Sequence, residues 1–191
     1  MRAVVLDGSE KNDAALGKVR AEVGKNLAGM GWQVSHLPLC DMEIAPCRGC
    51  RACWTRTPGQ CVLEDQGRQV LAALCSSDLA ILLSPVVFGG FGAVLKTALD
   101  RCLGFHSPFV ERCDGRFRHK ARYSRKPALL TLGLLTASDG DSQRVFHGMV
   151  SDLAWQMQAP RNETLVLFSR HSQAATAQQV REAFARVTAR R

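Results

Sequence analysis

The sequence contains no apolar run approaching the ~18 residues a helix needs to cross a bilayer, so a helical membrane span is not expected. Its opening, MRAVVLDGSE, has one Arg and a very short apolar stretch before turning polar at Asp7, unlike a secretory leader. Aromatic residues are scarce at 6%, with a single tyrosine. With aromatics interleaved to stack bases sparse and no nucleic-acid motif, the formal charge of +8 does not argue for nucleic-acid binding. Also missing are a Ser-His-Asp order, paired carboxylates and His-rich metal spacing. The histidines (His36, His106, His119, His147, His171) are scattered, as surface or capping residues are. There is no internal repeat, low-complexity tract or interdomain linker, and 191 residues at 46% hydrophobic content suit one domain with a full core. The expectation is a cytoplasmic globular domain, residues 1–191, in which no side chain is assigned as catalytic acid, base or nucleophile.

Cysteine, by contrast, is abundant. Four of the eight cysteines (Cys47, Cys50, Cys53 and Cys61) fall within CRGCRACWTRTPGQC, residues 47–61. In a reducing cytoplasm such a group holds metal or does redox chemistry more readily than it forms disulfides. The compressed C-x2-C-x2-C run suits an iron–sulfur cluster, which needs four thiolates close together. Zinc usually takes two separated knuckles and would not share Cys50 between pairs, and four free thiols with no metal remain a further reading. Cys75 and Cys102 fall on helical inner faces, as core residues do; Trp54 is placed to shield the loop from water. Basic residues concentrate at 112–126 (Arg112, Arg116, Arg118, Lys120, Arg122, Arg125, Lys126) and at the terminus, Arg190 and Arg191. They read as a solvated loop or as a docking surface for an acidic partner or a nucleotide phosphate.

In chain order, 2–6 (RAVVL) is a buried strand ending at Asp7-Gly8-Ser9. Leu16, Val19, Val23 and Leu27 mark an amphipathic helix over about 13–29, closed by Gly29 and Gly31. A second strand at 32–39 lies toward a sheet edge, because Pro38 sits at its end. The cysteine loop occupies 40–64, followed by a helix at 65–76 and an apolar strand at 78–84. A helical stretch VLKTALDRCLG, a strand at 127–135, a helix at 141–158, a strand at 164–169 and a helix at 174–189 complete the chain. Alternating strands and helices require parallel pairing with right-handed crossovers. The predicted fold is α/β: a three-layer, doubly wound, five-stranded parallel sheet of flavodoxin-like order 2-1-3-4-5, whose ligands sit at the switch point between strands 1 and 3.

Two loops meet there. Gly8-Ser9-Glu10-Lys11-Asn12 runs from strand 1 into a helix N-terminus, offering backbone N–H groups, a favourable dipole and side-chain donors to an anion. With one glycine it matches neither a dinucleotide fingerprint nor a P-loop, which points to one phosphate rather than a pyrophosphate. The second loop, Ser84-Pro85-Val86-Val87-Phe88-Gly89-Gly90-Phe91-Gly92, has three glycines in four positions and an apolar wall for a flat ligand.

GSEKN, CRGCRACW followed by CVLED, and SPVVFGGFGAVLKTALDR together resemble the flavodoxin-like NAD(P)H-dependent FMN reductase superfamily, in its iron–sulfur flavoprotein branch. The resemblance covers roughly residues 1–135. It implies that Ser9, Lys11 and Asn12 hold the FMN phosphate near Ala15. Pro85, Val86, Val87, Phe88 and Gly89 would line the isoalloxazine, with Leu134, Leu135 and Thr136 completing the pocket. It implies a 4Fe–4S cluster on Cys47, Cys50, Cys53 and Cys61, a nicotinamide nucleotide or ferredoxin-like electron donor, and a homodimer or homotetramer. The chain departs from the family pattern at Val87, where relatives commonly carry Tyr, and at Ala15-Leu16, where a pair such as Asn-Thr is usual. On the residues alone, a non-catalytic electron-transfer or redox-sensing protein and a flavin-free scaffold stay open beside the reductase.

Overall fold

The computed structural model describes residues 1–189, leaving the predicted basic end at Arg190 and Arg191 outside the described residues. Strands β1 (Arg2–Asp7), β2 (Gln33–Pro38), β3 (Leu79–Val87), β7 (Ala128–Leu135) and β8 (Asn162–Phe168) form one parallel sheet in the order β2-β1-β3-β7-β8. This is the expected topology. Because side chains alternate across a strand, Val4, Leu6, Ala80, Leu82 and Leu129 face one layer, while Ala3, Val5, Ile81, Leu83, Leu130 and Leu132 face the other. Helices α1 (Ala14–Gly29) and α6 (Gln173–Thr188) cover the second face through Leu16, Val19, Val23, Leu27, Val180 and Phe184. Helices α3 (Gly67–Ser76), α4 (Ala93–Asp100) and α5 (Gly140–Met157) cover the first through Val70, Leu74, Leu95, Ala98, Phe146 and Val150. β2 is the polar edge strand that Pro38 implied, with Val34 exposed. Among the described residues no helix is long and apolar enough to cross a membrane.

One expectation fails. The basic stretch beginning at Arg112 is not a solvated loop; most of it forms a hairpin of β5 (His106–Cys113) and β6 (Arg116–Ala121). Its turn is Asp114-Gly115, with φ of 49° and 78°. Such positive pairs give the right-twisting two-residue turn for which Asp-Gly is a strong signal. Glu111 and Arg118 pair across the strands at 2.8 Å. The hairpin lies along α5: Gln158 Nε2 donates to the His119 carbonyl at 3.0 Å, and the Arg116 and Arg118 guanidiniums sit over Trp155 at 5.1 and 4.9 Å.

The hairpin also packs His106 and His119 near Trp54 and Phe105, so these two are not surface residues of the kind expected. Burial, and then the neighbouring His119, push the His106 pKa from 6.5 down to about 4. Between those values the unfolded chain takes up a proton that the folded chain refuses. Stability is therefore complete above pH 6.5 and declines as pH falls toward 4. In His106→Gln this part of the pH dependence is expected to flatten, as thermal melts at a series of pH values would measure.

Candidate functional site

The two rim loops meet because β1 and β3 are neighbours and end together. Gly8 N donates to the Leu83 carbonyl at 2.8 Å, and a Cβ at Gly8 would stand 2.6 Å from Leu95 Cβ and 2.9 Å from that carbonyl. Only glycine allows this approach. Beyond it Ser9 turns inward. Buried, it donates both its N–H and its hydroxyl to Asp7 Oδ1, at 3.1 and 2.5 Å. Burial would raise the Asp7 carboxyl, but hydrogen bonds from Ser9, Arg20 and His36 outweigh it and hold the pKa below the usual range. Ser9 thus braces the loop from beneath.

The helix start is also occupied. Asp13 caps α1, accepting from Ala15 N at 3.1 Å and Leu16 N at 2.9 Å, so the Ala15 N–H already has a partner. What faces outward is the turn before it. Asn12 has φ 65°, and the N–H groups of Glu10, Lys11 and Asn12 have no partner among the described residues. Successive N–H groups around a left-handed residue form a concave anion nest. An open groove of about 570 Å³ adjoins it, lined by Lys11, Asn12, Gly17, Arg20, Cys40 and Asp41 among others. Lys11 meets Asp41 at 3.3 Å with both side chains exposed, a weak pair that a phosphate can displace. Arg20, bonded to Asp7 Oδ2 at 2.9 Å yet 45% exposed, brings a second cation that the loop motif did not reveal. One N–H nest and two cations fit a single phosphate.

The second loop turns back on itself. β4 (Gly90–Phe91) pairs antiparallel with the end of β3, leaving Phe88 and Gly89 at the tip with φ of 48° and 74°. A left-handed backbone at a bulky residue such as Phe88 costs about 1–2 kcal/mol. Its ring is nonetheless 99% exposed, and Val87 and Val145 beside it are about half exposed. The loop is held stiffly, with Gly92 N donating to Ser84 Oγ at 2.9 Å and to the Pro85 carbonyl at 3.1 Å. Pro85 and Val86 are half-buried beneath the tip, and the end of β7 supplies buried Leu134 and Leu135 and exposed Thr136. A strained, rigid, apolar tip beside an anion nest fits a phosphorylated flat ring such as FMN.

The cysteine loop is tied to the end of α4. Cys47 and Cys50 are exposed, Cys61 is half-buried, and Cys53 sits half-buried on a short helix α2 (Ala52–Thr55). The loop's two ends are tied to Arg101 at the C-cap of α4. Arg101 Nη1 donates to the Ala45 carbonyl and to Asp65 Oδ2, each at 2.6 Å, and Nη2 donates to Asp65 Oδ1 at 2.7 Å. Trp54 Nε1 donates to the Leu103 carbonyl at 3.1 Å, and Gly59 and Gly104 pack backbone to backbone. α4 carries Arg101 at its C-terminal end, and the cysteine loop docks there.

The four thiols nonetheless share one neighbourhood: burial first, then Cys61, Cys47 and Cys50, push the Cys53 pKa up. Among the described residues no three His, Cys, Asp or Glu side chains gather as a single metal ion requires. A cubane is held from its corners, with its ligands farther apart, and four thiols on one loop suit it chemically. Burial pushes the Cys75 thiol up to about 11 and that of Cys102 up to about 12, as fits core residues rather than ligands.

A family model described as NADPH-dependent FMN reductase matches residues 1–187. An iron–sulfur flavoprotein of Methanocaldococcus jannaschii is 32% identical over 101 residues, 53% of this chain and 51% of that one. One from Archaeoglobus fulgidus is 31% identical over 112 residues, 58% of this chain and 50% of that one. The chain thus spans about half the length of the curated relatives it matches. Among solved structures, an NAD(P)H:quinone oxidoreductase from Methanothermobacter marburgensis aligns with a TM-score of 0.72 at 11% identity, covering 96% of this chain and 93% of that one. An FMN-dependent NADH-azoreductase from Bacillus anthracis in complex with FMN aligns with a TM-score of 0.66 at 9% identity, covering 98% and 96%. At such identities the structural likeness shows the fold.

Proposed function

Because the chain belongs to the NADPH-dependent FMN reductase family, we propose that it is an FMN-binding oxidoreductase moving electrons from a nicotinamide nucleotide, or a ferredoxin-like donor, to an acceptor. The observation that carries this reading is the junction at the switch point, where an N–H nest with two cations adjoins a rigid apolar tip. Bound FMN supplies the hydride and single-electron chemistry. The protein's part is to bind and orient. The nest at Glu10, Lys11 and Asn12, with the Lys11 and Arg20 cations, holds the phosphate; Ser9 acts through Asp7 to stiffen the loop. Pro85, Val86, Val87, Phe88 and Gly89 pack against the ring and keep water from one face, with Leu134 and Thr136 at its edge. Cys47, Cys50, Cys53 and Cys61 hold a 4Fe–4S cluster that supplies one-electron capacity. A reducing cytoplasm suits those thiols, and a homodimer or homotetramer would cover exposed Val87, Phe88 and Val145.

A second reading, an electron-transfer protein docking an acidic partner, is favoured by the hairpin. It displays Arg112, Arg116 and Lys120 beside exposed Phe109 and Phe117. Anaerobic protein loaded with FMN separates the two. Under the reductase reading NADH or NADPH bleaches the flavin, and added quinone or free flavin sustains nicotinamide oxidation. Reduction by a ferredoxin-like protein alone would select the second reading, and failure with every donor would end both. Iron and sulfide analysis of the same sample is expected to give about four irons per chain.

A further inference from the structure

The guanidinium of Arg101 has a side-chain exposure of 0%, and it is only partly accounted for by its partners. Nη1 and Nη2 are bound by Asp65 and Ala45, a two-pronged arrangement in which Asp65 also accepts from Ala45 N and Gly67 N, each at 3.0 Å. The clamp closes tightly over position 67, where a Cβ would lie 3.0 Å from Arg101 Cζ. Nε, however, is buried without a partner. An unmade bond from a buried charged donor is costly, so such a donor implies an acceptor. Arg101 and Cys61 line the same cavity of about 400 Å³, with Gly59, Leu71 and Tyr123.

We propose that Arg101 is the positioning residue of the cysteine site: its fork fixes the ends of the loop, and its Nε–H is held for the sulfur of Cys61. The inference rests on the reading of Cys47, Cys50, Cys53 and Cys61 as cluster ligands. Hydrogen bonds and positive charge at a ligand sulfur stabilise the reduced, more anionic form of a cluster and so raise its potential. Lysine in place of Arg101 keeps the charge but not the fork or the Nε donor.

The test is a dye-mediated reductive titration of anaerobically prepared full-length protein, with iron and sulfide measured on each sample. Arg101→Gln is expected to keep its iron while its reduction equilibrium shifts at least tenfold toward the oxidised form, about 59 mV for one electron. Arg101→Lys should shift in the same direction by less, and it carries the test if the Gln variant does not fold. Asp65→Asn loosens the same loop but removes an anion, so its potential should hold or rise. A loaded Arg101→Gln protein with wild-type potential would overturn the proposal, as would equal falls in Arg101→Gln and Asp65→Asn. Wild-type protein free of iron would instead bring down the cluster reading, and this inference with it.

Discussion

Gly8→Val is expected to weaken FMN binding roughly 100-fold, the loss of about 3 kcal/mol of charge-assisted hydrogen bonding to the phosphate. The reason is local. A Cβ at position 8 would lie 2.6 Å from Leu95 Cβ and 2.9 Å from the Leu83 carbonyl, so the phosphate loop must lift off β3 and α4. Lifting it breaks the Gly8 N to Leu83 O bond and shifts the nest formed by Glu10, Lys11 and Asn12. Overpacking of this kind costs about 1–3 kcal/mol of stability, which leaves the fold standing. Fluorescence titration of flavin-stripped protein measures the affinity, and circular dichroism verifies the fold. An FMN affinity within about twofold of wild type, under 0.5 kcal/mol, would show that the phosphate does not depend on this contact.

Phe146→Ala should be the most damaging single change to stability, at about 3–5 kcal/mol. Fully buried on α5, Phe146 meets Phe91 edge-to-face at 5.4 Å and lies over Gly133 of β7. A Cβ at Gly133 would be 2.7 Å from the Phe146 ring and from Val86 Cγ2, so the ring fills space the glycine leaves open. Without it a cavity opens beneath Val86 and Phe91 of the second rim loop. Melting should fall by roughly 10 °C at about 2–4 °C per kcal/mol for a domain of this size, and a calorimetric scan reads it. Because Phe91 in β4 loses its partner, FMN binding should weaken in the same variant. A loss of stability below about 1 kcal/mol would mean the site can collapse around the change.

The parts of the fold legible in the sequence were those stabilised by burying a periodic apolar face. Leu16, Val19, Val23 and Leu27 mark one side of a helix, and the apolar runs at 79–83 and 128–132, the second broken only by buried Thr131, mark strands covered on both faces. The hairpin escaped because it buries little: Phe109 and Phe117 stay exposed, and it is held by one cross-strand ion pair and by α5. Asp114-Gly115 was its one local signal.

In the candidate site, the loop motifs located the rim but not the roles within it. The hydroxyl of Ser9 turns inward to Asp7, which lies in the same turn but on the buried side. Arg20 and Arg101 act through long side chains on partners 13 and 36 positions away, a distance no motif spans. The cysteines were legible as a group. What anchors them was not, because Asp65 and Ala45 reach Arg101 across a long stretch of sequence.

The most direct test of the central claim, that the rim holds FMN through its phosphate, is equilibrium binding of FMN and of riboflavin to the flavin-stripped full chain. The nest and its two cations predict one FMN per chain, bound at least 100-fold more tightly than riboflavin, roughly 3 kcal/mol of preference for the phosphate. Equal affinities, or no binding of either flavin, would contradict it.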